Sequence, residues 1–302
     1  MATADPLDAL FQEAVTAIDA GDLIALERLL ATHPGLLRDR LRRPGAWLRS
    51  KVGRALDGFF KRPYLLWFVA EDPVRNGTLP RNIADVTRAI IQAAERTGVK
   101  SLPEQLDYAL QLVSWSWIAR DSGVQIELID ALVDAGASTA GNPDNALVNG
   151  NVAAAEHLVR RGAPLTLGTA LYLGRWDDVT RLATSASAKD RQFGLVLAAL
   201  GGRPDALRRV IALGVDLNRP SPDLYSHATA LHHAVSSGSL DAVRVLVEAG
   251  ASLHTKDRAW KGTPLDWAEH GQGEHKNDER GRQFAEIAAY LVSLHETNPS
   301  PS

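Results

Sequence analysis

Six histidines crowd positions 227 to 275: His227, His232, His233, His254, His270 and His275. Neutral imidazole ligates metals and moves protons near pH 7, so such a cluster raises a metal or proton-transfer site. The chain has no cysteine, and no carboxylate stands at a known ligand spacing from these rings, so the spacing predicts no metal site. Ser236-Ser237-Gly238 lacks the Gly-x-Ser-x-Gly context of a nucleophilic elbow. Gly201-Gly202 follows a helical pattern rather than a strand, so it does not read as a phosphate loop. Asp177, Asp178, Asp205 and Asp241 recur near predicted helix starts, where a carboxylate complements the helix dipole. The expectation is no catalytic residue, no cofactor and no metal.

Seven tryptophans and one basic stretch remain. Between Arg38 and Arg62, nine basic residues face only Asp39 and Asp57, a net of +7 in a chain of net charge −3. Leu48, Val52, Ala55, Leu56 and Phe59 share one helical face there, which predicts an inserted amphipathic helix. Such a segment can dock an acidic protein surface, touch nucleic acid or lie on an anionic membrane, or its charges can simply be solvated. An overall pI near 6.3 argues against a general nucleic-acid binder. The residues that could act must be positioned by helices, because apolar positions recur at helical spacing almost throughout.

The 302 residues are 45% hydrophobic and 23% charged, as in ordinary folded domains. Acidic residues within the first twenty positions argue against a signal peptide. No apolar run reaches the ~20 residues of a membrane span. A cysteine-free chain of this kind is expected in the cytoplasm. Helix-breaking glycines fall at Gly150, Gly174, Gly202 and Gly238; a second series falls at Gly136, Gly162, Gly214 and Gly250, with Ala186 in the remaining place. From Gly150 onward the series keep a constant offset of 12, so a helix pair repeats while its connection varies in length.

The clearest unit runs Thr229-Ala-Leu-His-His-Ala, Gly238, Leu240 to Glu248, Gly250, then restarts at Thr263-Pro-Leu-Asp-Trp-Ala. This resembles the ankyrin repeat, with its Thr-Pro-Leu-His-x-Ala signature in a two-helix unit of ~33 residues. The resemblance is closest over 141–271 and weakest over 38–100, and the full signature occurs nowhere. It implies an all-α solenoid of about eight helix pairs, with an inserted helix near the N-terminus and some short β-hairpin-like fingers. The expected divisions are a capping repeat at 1–37, a basic insertion at 38–62, divergent repeats at 63–137, repeats with a C-terminal cap at 138–295, and a disordered tail at 296–302.

By the same resemblance His232 ties neighbouring loops together, and the concave face and fingers bind a partner protein. The register assigns that role to Asn145, Asn149, Tyr172, Leu197, Tyr225, His227, His233, Ser236, Trp260, Trp267 and His270. The function expected first is therefore a non-enzymatic protein-binding module. The alternative is a small-ligand sensor or enzyme with a pocket between residues 38–100 and the third repeat, lined by Trp67, Phe68, Trp115 and Trp117. A third reading is anion or acidic-surface contact through Arg38 to Arg62.

Overall fold

The computed structural model describes residues 7–297, with side chains described as far as residue 294. The chain divides into two compact units, 1–164 and 165–302. Among the described residues there is no strand.

The first unit contains α1 (Asp8–Ala20), α2 (Leu23–Thr32), α3 (Gly35–Arg38), α4 (Ala46–Val52), α5 (Ile83–Arg96), α6 (Leu102–Trp115), α7 (Trp117–Asp121), α8 (Gln125–Asp134), α9 (Asn142–Val148) and α10 (Val152–Arg160), with 3-10 turns at Gly53–Asp57 and Leu65–Ala70. Packing pairs α1 with α2, the Leu65–Ala70 turn with α5, α6 with α8, and α9 with α10. Phe11, Phe60 and Phe68 are fully or almost fully buried, and Phe60 meets Phe68 edge-on at 5.1 Å. One first-unit expectation shifts. The helix predicted through Phe59 stops at Gly53, whose φ of 51° no side chain adopts easily. The phase change buries Phe60 and leaves Phe59 43% exposed. α6 and α7 are separated by a break at Ser116, whose hydroxyl caps α7 by accepting from the Ala119 N–H.

Loop 71–81 is built around buried charge. Arg75 donates to both oxygens of Asp19 (2.8 and 3.0 Å) and to the Phe68 carbonyl (2.7 Å), and pairs with Glu71 at 3.0 Å. Glu71 also accepts the N–H groups of Arg75, Asn76 and Gly77. Neither charge is left unpaired, which is what permits their burial.

The second unit contains α11 (Leu167–Tyr172), α12 (Trp176–Ala183), α13 (Ala188–Leu200), α14 (Pro204–Ala212), α15 (Ala230–Ser237), α16 (Leu240–Glu248), α17 (Pro264–Glu274) and α18 (Glu279–Thr297). They pair successively, giving eight helix pairs in the described chain, and α11, α13, α15 and α17 pack side by side as a row of first helices. Leu171, Leu195, Leu207, Leu231, Val243, Leu246 and Ile287 fill the core between the rows. Asp177, Asp178, Asp205 and Asp241 each lie in the first turn of a second helix. Gly238 (φ 78°) and Gly250 (φ 95°) end α15 and follow α16 in left-handed backbone.

Two expectations are corrected here. The two fingers, residues 218–228 and 254–261, contain no strand: Pro220 and Pro222 remove two backbone donors from the first, and a side chain rather than a partner strand takes the donors of the second. The tail expected from 296 is helical to Thr297, and 298–302 lie outside the described residues.

Candidate functional site

The second finger is organised by one carboxylate. Asp257 is 2% exposed. Its Oδ1 accepts the N–H groups of Ala259 (2.8 Å) and Trp260 (2.7 Å), and its Oδ2 accepts those of Gly262 (2.8 Å) and the Trp267 indole (3.1 Å). Burial pushes this carboxyl up, but the donors of Trp260, Trp267, Gly262 and Ala259 together outweigh it and hold the group at about 2. An ionised carboxylate thus turns the chain at 257–262 and fixes Trp260 at its tip. The sequence register passed over Asp257. The signal was local, an Asp ahead of a glycine-closed turn, the type of residue that binds its own following amides.

The two fingers are joined at their base. The Arg258 N–H donates to the His227 carbonyl at 2.7 Å. His232 completes the tie: its Nδ1 accepts from the Thr229 hydroxyl (2.8 Å) and amide (3.3 Å), so its Nε2 carries the proton and donates to the Gly262 carbonyl at 3.1 Å. The loop-locking role expected of His232 is therefore present in its geometry, and burial lowers its pKa.

This scaffold gathers rings into one cluster. His227 meets Trp260 edge-on at 5.2 Å, lies parallel to Trp267 at 6.1 Å, and contacts Tyr225 and His233 at 6.2 and 6.0 Å. Trp260 and Trp267 meet at 5.6 Å with planes 67° apart. Such contacts add ~0.5–1.5 kcal/mol each beyond buried area. The cluster grades from core to surface: His233 is 3% exposed, Tyr225 44% and Trp260 71%. The Nε2 of His233 has no hydrogen-bond partner. Burial, followed by the neighbouring His227 and His232, holds its pKa at about 4, against the smaller opposing pull of the Tyr225 and Ala228 carbonyls. It is a neutral ring near pH 7.

Beside the cluster opens a cavity of about 570 Å³, walled by Trp260, Trp267, Phe284, Ser236, His270 and Asp266. The sequence register named four of these six. Tyr225 and His227 join the same cluster through ring contacts. The others lie elsewhere. Leu197 is fully buried on α13 and Tyr172 is 8% exposed, so the register gave core residues as surface ones. The reason is visible at Gly201, whose missing Cβ would lie 2.1 Å from the Tyr172 ring. That ring folds inward over the glycine, beneath the Arg203 guanidinium at 4.8 Å. Asn145 and Asn149 belong to the first unit, where Asn149 donates to the Asn145 carbonyl at 2.9 Å. In the same unit Trp67 and Phe68 are buried, Trp67 packing 4.4 Å from Tyr108 and Trp115 edge-on to Phe59 at 6.1 Å. Trp67 and Phe68 thus belong to the interior of the first unit, while Trp115 is half-buried at its surface. Of the four tryptophan and phenylalanine side chains in the alternative reading, Trp117 stands most exposed, at 50%.

Comparison with known proteins finds likenesses over part of the chain. Residues 145–257 match the family described as ankyrin repeats (3 copies). The potassium channel GORK of Arabidopsis thaliana is 43% identical over 67 residues, which are 22% of this chain and 8% of that one. The potassium channels KOR1 and KOR2 of Oryza sativa subsp. japonica are 40% identical over 72 residues and 38% over 66, covering 24% and 22% of this chain. The chain spans 8% and 9% of those two channels. The human ASB11 ankyrin repeat domain shares 18% identity over 68% of this chain and 94% of its own, with a TM-score of 0.33. Among the described residues no helix is long and apolar enough to cross a membrane.

Proposed function

We propose that this ankyrin-repeat protein holds a partner protein against the aromatic cluster of its second unit. Ankyrin repeats are in general protein-interaction modules, and a row of rigid helices presents a surface with little ordering cost on binding. The observation that carries the reading is Trp260: a large indole 71% exposed, yet fixed by the Asp257 turn and by His227 and Trp267. Buried anchors of this residue type dominate interface energies, and a held indole loses little entropy when covered. Tyr225 and His227 extend the contact along the first finger, and the cavity beside Trp260 accepts a partner side chain. No part of this reading calls on catalysis.

The test is capture of a partner by wild type, Trp260→Ala and Ile24→Ala in parallel. Ile24 is 84% exposed in the first unit and serves as the control for loss of a surface hydrophobe. Loss of the partner in Trp260→Ala alone supports the reading. Retention in Trp260→Ala, or equal loss in both variants, removes it.

A further inference from the structure

Part of the basic stretch of the first unit lines a cleft. Arg38, Arg40, Arg42 and Arg62 converge with Asp39 and Tyr64 on a cleft of about 390 Å³. The segment folds back on itself there: the Leu41 N–H donates to the Pro63 carbonyl at 3.0 Å, and Arg62 takes left-handed backbone with φ 50°. Arg40 is fixed in place. Its guanidinium lies over the Tyr64 ring at 4.1 Å and the Trp67 ring at 5.0 Å, donates to the Arg62 carbonyl at 3.2 Å and pairs with Glu104. Arg38 is matched by Asp39 through two hydrogen bonds of 3.2 and 3.1 Å. Arg42 and Arg62 have no ion-pair partner among the described residues. Two guanidinium charges therefore remain uncompensated at one concave site, in a chain whose net charge is −3.

We propose that this cleft binds a phosphate monoester group. A monoester carries about −1.5 to −2 charge at pH 7 and three acceptor oxygens, which suits two free guanidiniums beside a preorganised third. The planar fork of arginine accepts phosphate oxygens two at a time, and its charge persists at any physiological pH. A small, half-open cleft with two free arginines fits a single group and not the extended backbone of a nucleic acid, which needs a track of cations. The group can come from a soluble ligand or from a phosphatidic acid headgroup; the chemistry of recognition is the same.

Titration calorimetry of the full chain with inorganic phosphate tests the site, together with co-sedimentation on phosphatidylcholine vesicles with and without phosphatidic acid. Two double variants are compared. Arg42→Gln with Arg62→Gln removes the free guanidiniums. Arg54→Gln with Arg81→Gln removes the same charge from exposed positions outside the cleft. One-to-one binding of phosphate, weakened at least tenfold by the first pair and unchanged by the second, supports the site with a soluble source. Binding to the phosphatidic acid vesicles with the same dependence supports it with a lipid source. Absence of both, or equal weakening by both pairs, overturns it. The single Arg42→Gln variant, at an exposed side chain, repeats the comparison should the double variant melt at a lower temperature than wild type.

Discussion

His233 makes the second unit sensitive to acid in a way that one substitution removes. Its ring is buried and held neutral, with a pKa of about 4 in the fold against 6.5 when free. Because the folded value lies below the unfolded one, the unfolded chain binds the extra proton first as pH falls. Stability from this residue is full above pH 6.5 and declines as pH drops towards 4. The difference of roughly 2.5 units corresponds to about 3 kcal/mol in all, of which about 2 kcal/mol is lost between pH 7 and 4.5. His233→Leu keeps an apolar side chain of similar reach and removes the unpartnered Nε2, so it is expected to change stability at pH 7 by less than about 1 kcal/mol. Urea unfolding followed by tryptophan emission reads the effect, since Trp267 lies 6.2 Å from His233. With a slope near 2 kcal/mol per molar, wild type loses about 1 M in midpoint relative to the variant between pH 7 and 4.5. Parallel pH dependence of the two proteins would refute the burial argument.

Asp72 in the first unit works in the opposite sense. Burial, and then the charge of Glu71, raises its pKa to about 6, so its favourable contribution is full below about 3.8 and is lost as pH rises through 6. Asp72→Asn should raise stability at pH 7.5 by about 1–2 kcal/mol, the nominal shift being discounted for partial exposure, and leave it unchanged at pH 3.5; thermal melts at the two values check this. Gly201→Ala places a methyl 2.1 Å from the Tyr172 ring and should cost about 1–3 kcal/mol, recovered in part in the Tyr172→Ala background; a double-mutant cycle by urea melts would expose additive losses as a contradiction. Trp260→Ala removes the ring contacts to His227 and Trp267 and should cost about 1–3 kcal/mol in urea melts while the protein stays folded, so that loss of partner from the folded variant reflects contact and not unfolding.

Much of the architecture was readable because its signals are local. Thr263 before Pro264 and three residues before Asp266 marks a capping box, and the structure closes it with Thr263 donating to Asp266 and the Asp266 N–H donating back. Helix-ending glycines at fixed offset gave the pairing of α13 to α16 for the same reason. The exposed cluster was partly legible, since the ankyrin resemblance implies a groove-facing place for Trp267, Ser236 and His270 and a finger tip for Trp260. Asp257 was not, because a carboxylate that gathers four donors depends on the three-dimensional course of the finger. Tyr172 and Leu197 went astray at the level of packing: register places a Cα on a face, but Gly201 decides which way the tyrosine ring turns. The basic stretch was visible as charge, whereas its closure into a cleft needed Arg62 in left-handed backbone and Arg40 stacked on Tyr64.

The partner-binding role of the second unit is tested most directly by placing a photo-crosslinking residue at position 260 and, separately, at position 24, then irradiating each protein in native lysate. A discrete covalent adduct with another protein from position 260, suppressed by excess unlabelled wild type and absent from position 24, is the expected result. No adduct from 260, or the same adduct from both positions, would contradict the assignment of the Trp260 cluster as the docking surface.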